Sequence, residues 1–362
     1  MERFAACFAD MPDPRTNNWR HDLTEILFIA LLATLCGATT CCDMALFARS
    51  KEDLLRQILV LENGPPSHDT FSRVFRILDP AAFETAFRRF TKAFAEAVQV
   101  AGVVALDGKA LRRAYARGKS HMPPVMVTAW SAKTRLALAT VLAPGNNEAA
   151  GAPRLIELLQ LKGCVVTMDA LHCHRAAAKA VVERGGDYVL AVKENQPGLR
   201  RDAKAAIAAA ERRRAKSAAT KDARHGRKET RTAIVARAGG LAEKHDFPGL
   251  KAVARVKSRR GGEKTVERYF LLTRCYTPKQ LLDIVRQHWG IENTLRWTLD
   301  VTLDEDRARN RKDHAPANLA ILRRLALNIA RAHPDKKTSL RGKLKQAAWD
   351  DKFLINMLKH MQ

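Results

Sequence analysis

The stretch VVALDGKALRR, residues 103–113, decides the fold that the sequence predicts. Its leading apolar residues run directly into Asp107, and such a run followed by turn signals is typical of a strand buried on both faces. Asp107 is therefore expected at or near the exposed end of that strand. One interpretation is an ordinary turn aspartate after a core strand. The other is a carboxylate that holds a metal ion against a phosphate, because Lys109, Arg112 and Arg113 follow it.

The same pattern returns at GCVVTMD, residues 163–169, where a short β-branched run ends in Asp169. Periodicity predicts the neighbouring elements, which are strands at 124–131, 135–142 and 187–193 and helices at 153–161 and 174–185. The order β-β-β-α-β-α-β is typical of an antiparallel meander followed by right-handed crossovers. If the fourth strand pairs in parallel with the first, Asp107 and Asp169 lie side by side at the same edge.

A third acid, Glu292, belongs to a helix predicted over residues 281–300. Polar side chains recur along it at helical spacing, at Arg286, His288, Glu292 and Arg296. A solvated helix face would account for this stripe. Two tryptophans beside it, Trp289 and Trp297, favour a stripe that faces another group.

Longer stretches of the chain resemble a known family. They are LDGKALRR, TMDALHCH, YVLAVKENQP, HGRKETR, HWGIENTLRWTLDV and APANLAILRRLALN, preceded by MPDPR, HDLTEILFIAL and NGPPSHDTFSRVFRILDP. In this order and over nearly the whole chain, they resemble bacterial insertion-sequence transposases of the H-repeat-associated branch, a DDE transposase group. The resemblance implies an α/β fold with an RNase H-like core, a mixed five-stranded sheet and a β-rich insertion before the last catalytic helix. Carried over residue by residue, it implies that Asp107, Asp169 and Glu292 are the catalytic residues and the metal ligands.

The chain departs from the family pattern at accessory positions. After Asp169 the family usually has small or amide residues, whereas this chain has His172, Cys173 and His174. The wider superfamily often has a Tyr and an Arg before the catalytic Glu and a Lys after it, where this chain has Val285, His288 and Leu299, a difference that puts these accessory roles in doubt. Three consecutive residues on a helix cannot all face one zinc ion, so residues 172–174 are interpreted as lining the cleft.

The charge balance predicts a polyanionic partner. The 362 residues carry 63 Lys and Arg against 38 Asp and Glu, a formal net charge of +25. The excess is concentrated in a first basic block, residues 201–231, with eleven cations and four acids, and a second basic block, residues 307–345, with twelve and two. The resemblance to transposases implies that this partner is double-stranded DNA, both at terminal inverted repeats and as a target.

Specific residues are predicted to contact DNA, although a solvated face or a polar loop would explain many of them equally well. The predicted contacts are Lys109, Arg112, Arg113, Lys193, Asn195, Gln196, Arg227, Arg286, His288, Arg296, Arg323 and Arg324. The cations among them are expected to position phosphates rather than to react.

Three regions are predicted along the chain. Residues 1–100 are expected to form a helical N-terminal domain, in which a helix carrying Arg73 and Arg76 suggests DNA reading of the helix-turn-helix type. Residues 101–362 are expected to form the catalytic domain. Within it, residues 198–225 are interpreted as an exposed basic helix and linker, residues 226–275 as a β insertion, and the remainder as basic helices.

Cysteine usage and hydropathy predict a cytoplasmic protein, and the resemblance implies that it is nucleoid-associated when bound to DNA. The seven cysteines show neither metal spacing nor a secreted disulfide framework, which favours reduced thiols. The longest apolar run, residues 26–38, is shorter than the roughly 20 residues of a membrane span. It is therefore predicted to be a buried helix, and no cleavable signal is expected before it.

The resemblance implies a metal-dependent reaction. Magnesium or manganese, as two ions held by three carboxylates, would support cleavage at transposon ends and transfer of the freed 3′ end into target DNA. A homodimer in the DNA complex is a further expectation. Two alternatives stay open, which are a catalytically silent DNA-binding protein derived from a transposase and a nuclease acting on RNA–DNA hybrids.

Overall fold

The computed structural model of the protein describes residues 2–16, 19–95, 102–114, 123–224 and 227–359. Within these ranges the chain forms one mixed sheet with helices on both faces. The sheet order is β3-β2-β1-β4-β5-β9-β8-β7-β6. The strands are β1 Gly102–Ala110, β2 Val125–Ser131, β3 Ala137–Leu142, β4 Cys164–Met168, β5 Asp187–Val192, β6 Ser217–Arg224, β7 Arg227–Arg237, β8 Ala252–Arg260 and β9 Val266–Leu272.

The first five strands have the predicted arrangement. β1 pairs antiparallel with β2, and β2 pairs antiparallel with β3, which is the predicted meander. β4 lies parallel to β1 and β5 lies parallel to β4, so the predicted parallel pairing of the first and fourth strands is confirmed. The helices that cross between these strands, in the predicted order, cover one face of the sheet.

The predicted number of strands in the sheet, five, is wrong, because the described sheet has nine strands. The expected β insertion joins it through β9, which pairs antiparallel with β5 from Val189↔Leu272 to Val192↔Tyr269. The sequence predicts β6 as part of a linker, since SAATKDAR lacks the apolar alternation of a half-buried strand. It is instead an edge strand, which is held in the sheet by its pairing with β7 and not by an apolar pattern of its own.

The helices follow from N-terminal capping residues and from apolar stripes that face the sheet. They are α1 Glu2–Phe8, α2 Leu23–Leu35, α3 Cys41–Ser50, α4 Glu52–Arg56, α5 His68–Ile77, α6 Pro80–Ala95, α7 Glu148–Glu157, α8 Arg175–Glu183, α9 Pro197–Arg212, α10 Leu241–Lys244, α11 Pro278–His288, α12 Trp297–Val301, α13 Ala315–Ala332, α14 Leu340–Trp349 and α15 Asp351–Lys359. Short 3₁₀ turns lie at Pro144–Asn146, Ala170–His172 and Glu305–Arg307.

The N-terminal and C-terminal helices share one hydrophobic core on one side of the sheet. α2 is buried along almost its whole length, which confirms the helix predicted in the apolar run. It packs against α13, and α13 also contacts α6. The same core includes Trp130 and Ala105 from the sheet. The opposite face is covered by α7, α8 and α9, whose buried residues include Leu155, Val181 and Ile207.

The helix predicted over 281–300 is interrupted, which corrects that prediction. α11 ends at His288, a π-helical turn occupies Ile291–Arg296, and α12 then runs to Val301. A π turn inserts an extra residue and rotates the side chains beyond it relative to a regular helix, and such turns are frequent at functional sites. Glu292 lies within this turn.

In the described part of the chain, no helix combines the length and the apolar character that a membrane span requires.

Candidate active site

Asp107 and Asp169 occupy neighbouring positions on adjacent strands. The parallel pairing of β1 with β4 runs to Leu106↔Met168, and the two aspartates are the next residue on each chain. Paired positions on parallel strands direct their side chains to the same face of the sheet. Asp107 lies near the end of its strand, as predicted, and β1 continues to Ala110 through its pairing with β2. Of the two strands, only β4 ends at this position, so Asp169 follows the last residue of its strand while Asp107 lies within β1.

Asp107 is held in a mostly buried ion pair. Its carboxylate is 11% exposed, and its Oδ1 lies 2.5 Å from Nη2 of Arg296. The same guanidinium donates to the carbonyl of Gly108. Burial raises the pKa of Asp107 to about 7, against the opposing charge of Arg296, and the charges of Glu148, Glu292 and Asp169 act in the same direction as burial. The charges of the other two sequence-predicted acids, Asp169 and Glu292, therefore both act on Asp107.

Asp169 caps the turn that follows it. Its Oδ1 accepts a hydrogen bond of 2.9 Å from the amide of Leu171, which orients the carboxylate along the 3₁₀ turn. The loop after β5 stabilises this turn through two hydrogen bonds. Asn195 donates to the carbonyl of Ala170 at 2.7 Å, and Gln196 donates to that of Cys173 at 3.3 Å. Two predicted DNA contacts are thus bonded to the backbone beside Asp169.

A fourth acid, Glu148, supports the site, and the sequence does not predict it. Its Oε1 accepts a 3.0 Å hydrogen bond from the amide of Gly108 and lies 2.8 Å from Nε2 of the buried His172. A Cβ at position 108 would lie 2.1 Å from the Glu148 carboxyl carbon, so any other residue there would displace the Glu148 side chain from this position. Burial acts to raise the pKa of Glu148, but the bond from His172 and further contacts hold it below the ordinary value. A glutamate in the first turn of a helix carries no sequence signal that would distinguish it.

Glu292 and Lys109 have opposite environments. Glu292 is exposed in the π-helical turn. Lys109 is buried, and its ammonium lies 2.7 Å from Asp300, 2.6 Å from Asp306 and 3.4 Å from Glu305. The ammonium is therefore surrounded by protein carboxylates and does not face a DNA surface.

The remaining predicted DNA contacts differ in how exposed their side chains are. Arg112, with a side chain 76% exposed, lies 3.4 Å from Asp306, and Arg113 and Lys193 are exposed. Arg323 and Arg324 are 5% and 0% exposed, so they are not available to a ligand in this structure.

Two other predicted contacts have protein partners. Arg286 pairs with Asp222 at 2.8 Å. His288 Nδ1 lies 2.9 Å from the Thr167 hydroxyl, and burial lowers the pKa of this histidine to about 4. The side chain of Arg227 lies outside what the structure describes.

The donor chemistry of the site suits a hard divalent cation, while the side chains are not arranged around one. Carboxylate oxygens are the ligands that Mg²⁺ prefers, and Oδ2 of Asp107 is buried without a hydrogen-bond partner among the described residues. Within the described ranges, no group of three or more His, Cys, Asp or Glu side chains meets the geometry of a metal site. Binding of one ion by all three acids together would require these side chains to rearrange.

Comparisons with known proteins agree with these features. Residues 84–329 match the family described as "Transposase DDE domain", and residues 5–91 match "DDE_Tnp_1-associated". The chain is 30% identical over 363 residues to "H repeat-associated putative transposase YhhI" of Escherichia coli strain K12, covering 96% of this chain and 95% of that protein. It is 41% identical over 273 residues to an uncharacterized protein of Xanthobacter autotrophicus, covering 74% and 92%.

One solved structure is similar in outline. It is a piggyBac transposase synaptic complex with hairpin DNA, at 14% identity and a TM-score of 0.45, covering 100% of this chain and 78% of that one. A TM-score this low assigns neither fold nor function.

Proposed function

The chain belongs to the family of transposases with a DDE domain, and we propose that it cleaves DNA at transposon ends and transfers the freed ends into target DNA. The observation that carries this proposal is the in-register position of Asp107 and Asp169, with the charge of Glu292 acting on Asp107. These three acids are the proposed catalytic residues.

The fold supports an RNase H-like core within the larger sheet. This proposal is supported by the order β3-β2-β1-β4-β5, in which an antiparallel meander is followed by two parallel strands. β6 to β9 extend this core from β5. The proposed domains are residues 1–100 and residues 101–362. Side chains of both regions contribute to one hydrophobic core.

In the proposed mechanism, Asp107, Asp169 and Glu292 would hold divalent cations, Mg²⁺ or Mn²⁺. A pair of such ions would supply an activated oxygen nucleophile and stabilisation of the leaving oxygen. Arg296 neutralises the Asp107 carboxylate and holds its Oδ1 in place. Glu148 and His172 keep the backbone of Gly108 and the turn after Asp169 in place, because both ends of their hydrogen-bonded chain attach there.

Double-stranded DNA is the proposed substrate. Arg112, Arg113 and Lys193 are exposed cations near the strands that carry the acids, so they are the proposed phosphate contacts of the site. A homodimer that holds both transposon ends is part of the proposal, and measurement of the mass of the DNA complex in solution tests it.

A catalytically silent DNA-binding protein is the second candidate. The observation in its favour is the Arg296–Asp107 ion pair, which occupies an oxygen that a metal ion would need. It differs from the first candidate in one respect, because it binds terminal DNA without cutting it.

The test is strand cleavage of a duplex carrying the repeats that flank the gene, with Mg²⁺ and with a chelator. We expect cleavage by the unmodified chain that requires the metal and is lost in Asp107→Asn, with DNA binding retained in both proteins. Binding without cleavage in the unmodified chain would establish the silent alternative. Absence of both would contradict the proposed function.

A further inference from the structure

Three arginines from the strands beyond the core converge on one tryptophan. Arg231 of β7, Arg260 of β8 and Arg268 of β9 have their guanidinium carbons 4.2, 5.5 and 5.2 Å from the centre of the Trp289 ring. The strand pairing explains this convergence. Arg231 pairs with Ser258, two residues from Arg260, and Arg268 pairs with Val256, so all three arginines leave the same face of the sheet. We call them, with Trp289, the arginine cluster.

The cluster has more positive charge than its protein partners neutralise. Glu229 is the carboxylate that pairs with it, at 2.8 Å from Arg231 and 3.3 Å from Arg260. Arg268 bonds the Ser258 hydroxyl at 3.4 Å and makes no salt bridge with the described residues. Arg231 is 7% exposed, and its Nε is buried without a hydrogen-bond partner in the described chain. Three cations beside one carboxylate form a site that an anion would stabilise.

Mutual repulsion within the cluster agrees with this interpretation. Burial lowers the pKa of Arg268, and the neighbouring charges of Arg231 and Arg260 lower it further, against the opposing charges of Glu229 and Glu292. Folding therefore brings like charges together in partly desolvated surroundings, which costs free energy until a ligand compensates it.

The position of the cluster links it to the proposed active site. Trp289 follows the last residue of α11 and lies three residues before Glu292. The charge of Glu292 acts on Arg268, so the two side chains are within electrostatic range. Arg260 is exposed and Arg268 is half-buried, so a ligand can reach both guanidinium groups.

We propose that the arginine cluster binds a backbone phosphate of the DNA strand that passes beside Glu292. A guanidinium presents its donors in a planar fork that matches phosphate oxygens, and stacking on an aromatic ring holds that fork in orientation. Arg231 is the buried member that orients Trp289, while Arg260 and Arg268 face the phosphate. The proposal rests on the proposed function, because it places this phosphate in the substrate of that reaction.

Arg268→Gln tests the proposal, with Arg259→Gln as the matched control. Arg259 is exposed on the same sheet but leaves the opposite face of β8, since its side chain alternates with that of Arg260. The measurement is the affinity for a fluorescent terminal-repeat duplex without divalent metal, over a range of salt concentrations. We expect Arg268→Gln to lower affinity by about tenfold and to reduce the log–log salt slope by about one unit. The control should leave the slope unchanged.

Glu229→Gln should change DNA affinity in the direction opposite to Arg268→Gln. It distinguishes a cluster that binds phosphate from one that only packs. Removing the carboxylate that competes for Arg231 and Arg260 should tighten DNA binding while lowering the melting temperature. A purely structural cluster would show the lower melting temperature without tighter binding, and that result would overturn the proposal. An unchanged slope in Arg268→Gln, in a protein whose parent cleaves DNA, would overturn the cluster alone. A parent chain that fails to bind the duplex would overturn the proposed function as well.

Discussion

The two basic blocks have similar charge but differ in how many of their cations are buried. In the first basic block, Arg212 at the end of α9 and Arg213 and Arg214 just after it are exposed. In the second basic block, Arg323, Arg324 and Lys343 are 5%, 0% and 4% exposed. The comparison teaches that a count of cations indicates a polyanionic partner but does not identify which cations can reach it.

The buried arginines of the second basic block hold the core together beneath the site. Arg324 lies on α13, which is buried along most of its length, and its guanidinium donates to Glu305 at 2.8 Å and to the Thr128 hydroxyl at 3.0 Å. Glu305 also lies 3.4 Å from Lys109, two residues after Asp107. These charges therefore connect α13 with the strands that carry the proposed active site.

Two acids near the proposed active site also differ in their surroundings, and the largest expected effect on cleavage concerns them. Glu292 is exposed, whereas Asp300 pairs with Lys109 at 2.7 Å. Glu292→Gln should reduce metal-dependent cleavage by more than about a hundredfold, since even residues that only support metal ligands contribute roughly 10- to 100-fold. DNA binding should be retained. Asp300→Asn is the matched control, and it should keep most of the cleavage rate. The reverse result would move the third ligand to Asp300.

Arg324→Met should give the next largest effect, on stability. It leaves Glu305 buried with only its weaker contact to Lys109, and breaking such a buried pair costs about 3–5 kcal/mol. Urea denaturation would show this as a lower free energy of unfolding. The control is Arg341→Met, an exposed change in the same block, which should fall within about 0.5 kcal/mol. Equal effects of the two changes would break the comparison between buried and exposed cations.

Glu148→Gln should slow cleavage by roughly tenfold, because it weakens the support of Gly108 and His172 without removing a proposed metal ligand. DNA affinity should stay the same. Glu157→Gln, an exposed change at the end of the same helix, serves as the control in the cleavage assay. A decrease as large as that of Glu292→Gln would instead make Glu148 a ligand.

The smallest change concerns the first basic block. Replacing Arg212, Arg213 and Arg214 with Gln should flatten the log–log salt slope of DNA binding by about one unit for each phosphate that these arginines neutralise. The melting temperature should stay close to that of the parent, because these side chains are exposed. An unchanged slope would show that this block is a solvated face, like many charge runs.

Much of the site was predictable because its acids follow local patterns. Asp107 and Asp169 each end a short apolar run, and the order of elements between the runs predicts a parallel pairing that places them together. Glu148 could not be predicted in this way. Its role depends on a hydrogen bond to Gly108, forty residues earlier, and on the absence of a Cβ there.

The sequence by itself determined the order of the first five strands and of the helices between them, the buried α2 and the strong positive charge, because periodicity and composition are properties of neighbouring residues. Only the tertiary structure decided that nine strands form one sheet, that the Glu292 helix contains a π turn, and that Arg324 and Lys109 are buried. The physical reason is that burial of a long cation depends on partners far away in the chain. Glu305 lies 19 residues from Arg324, and Thr128 lies 196 residues from it.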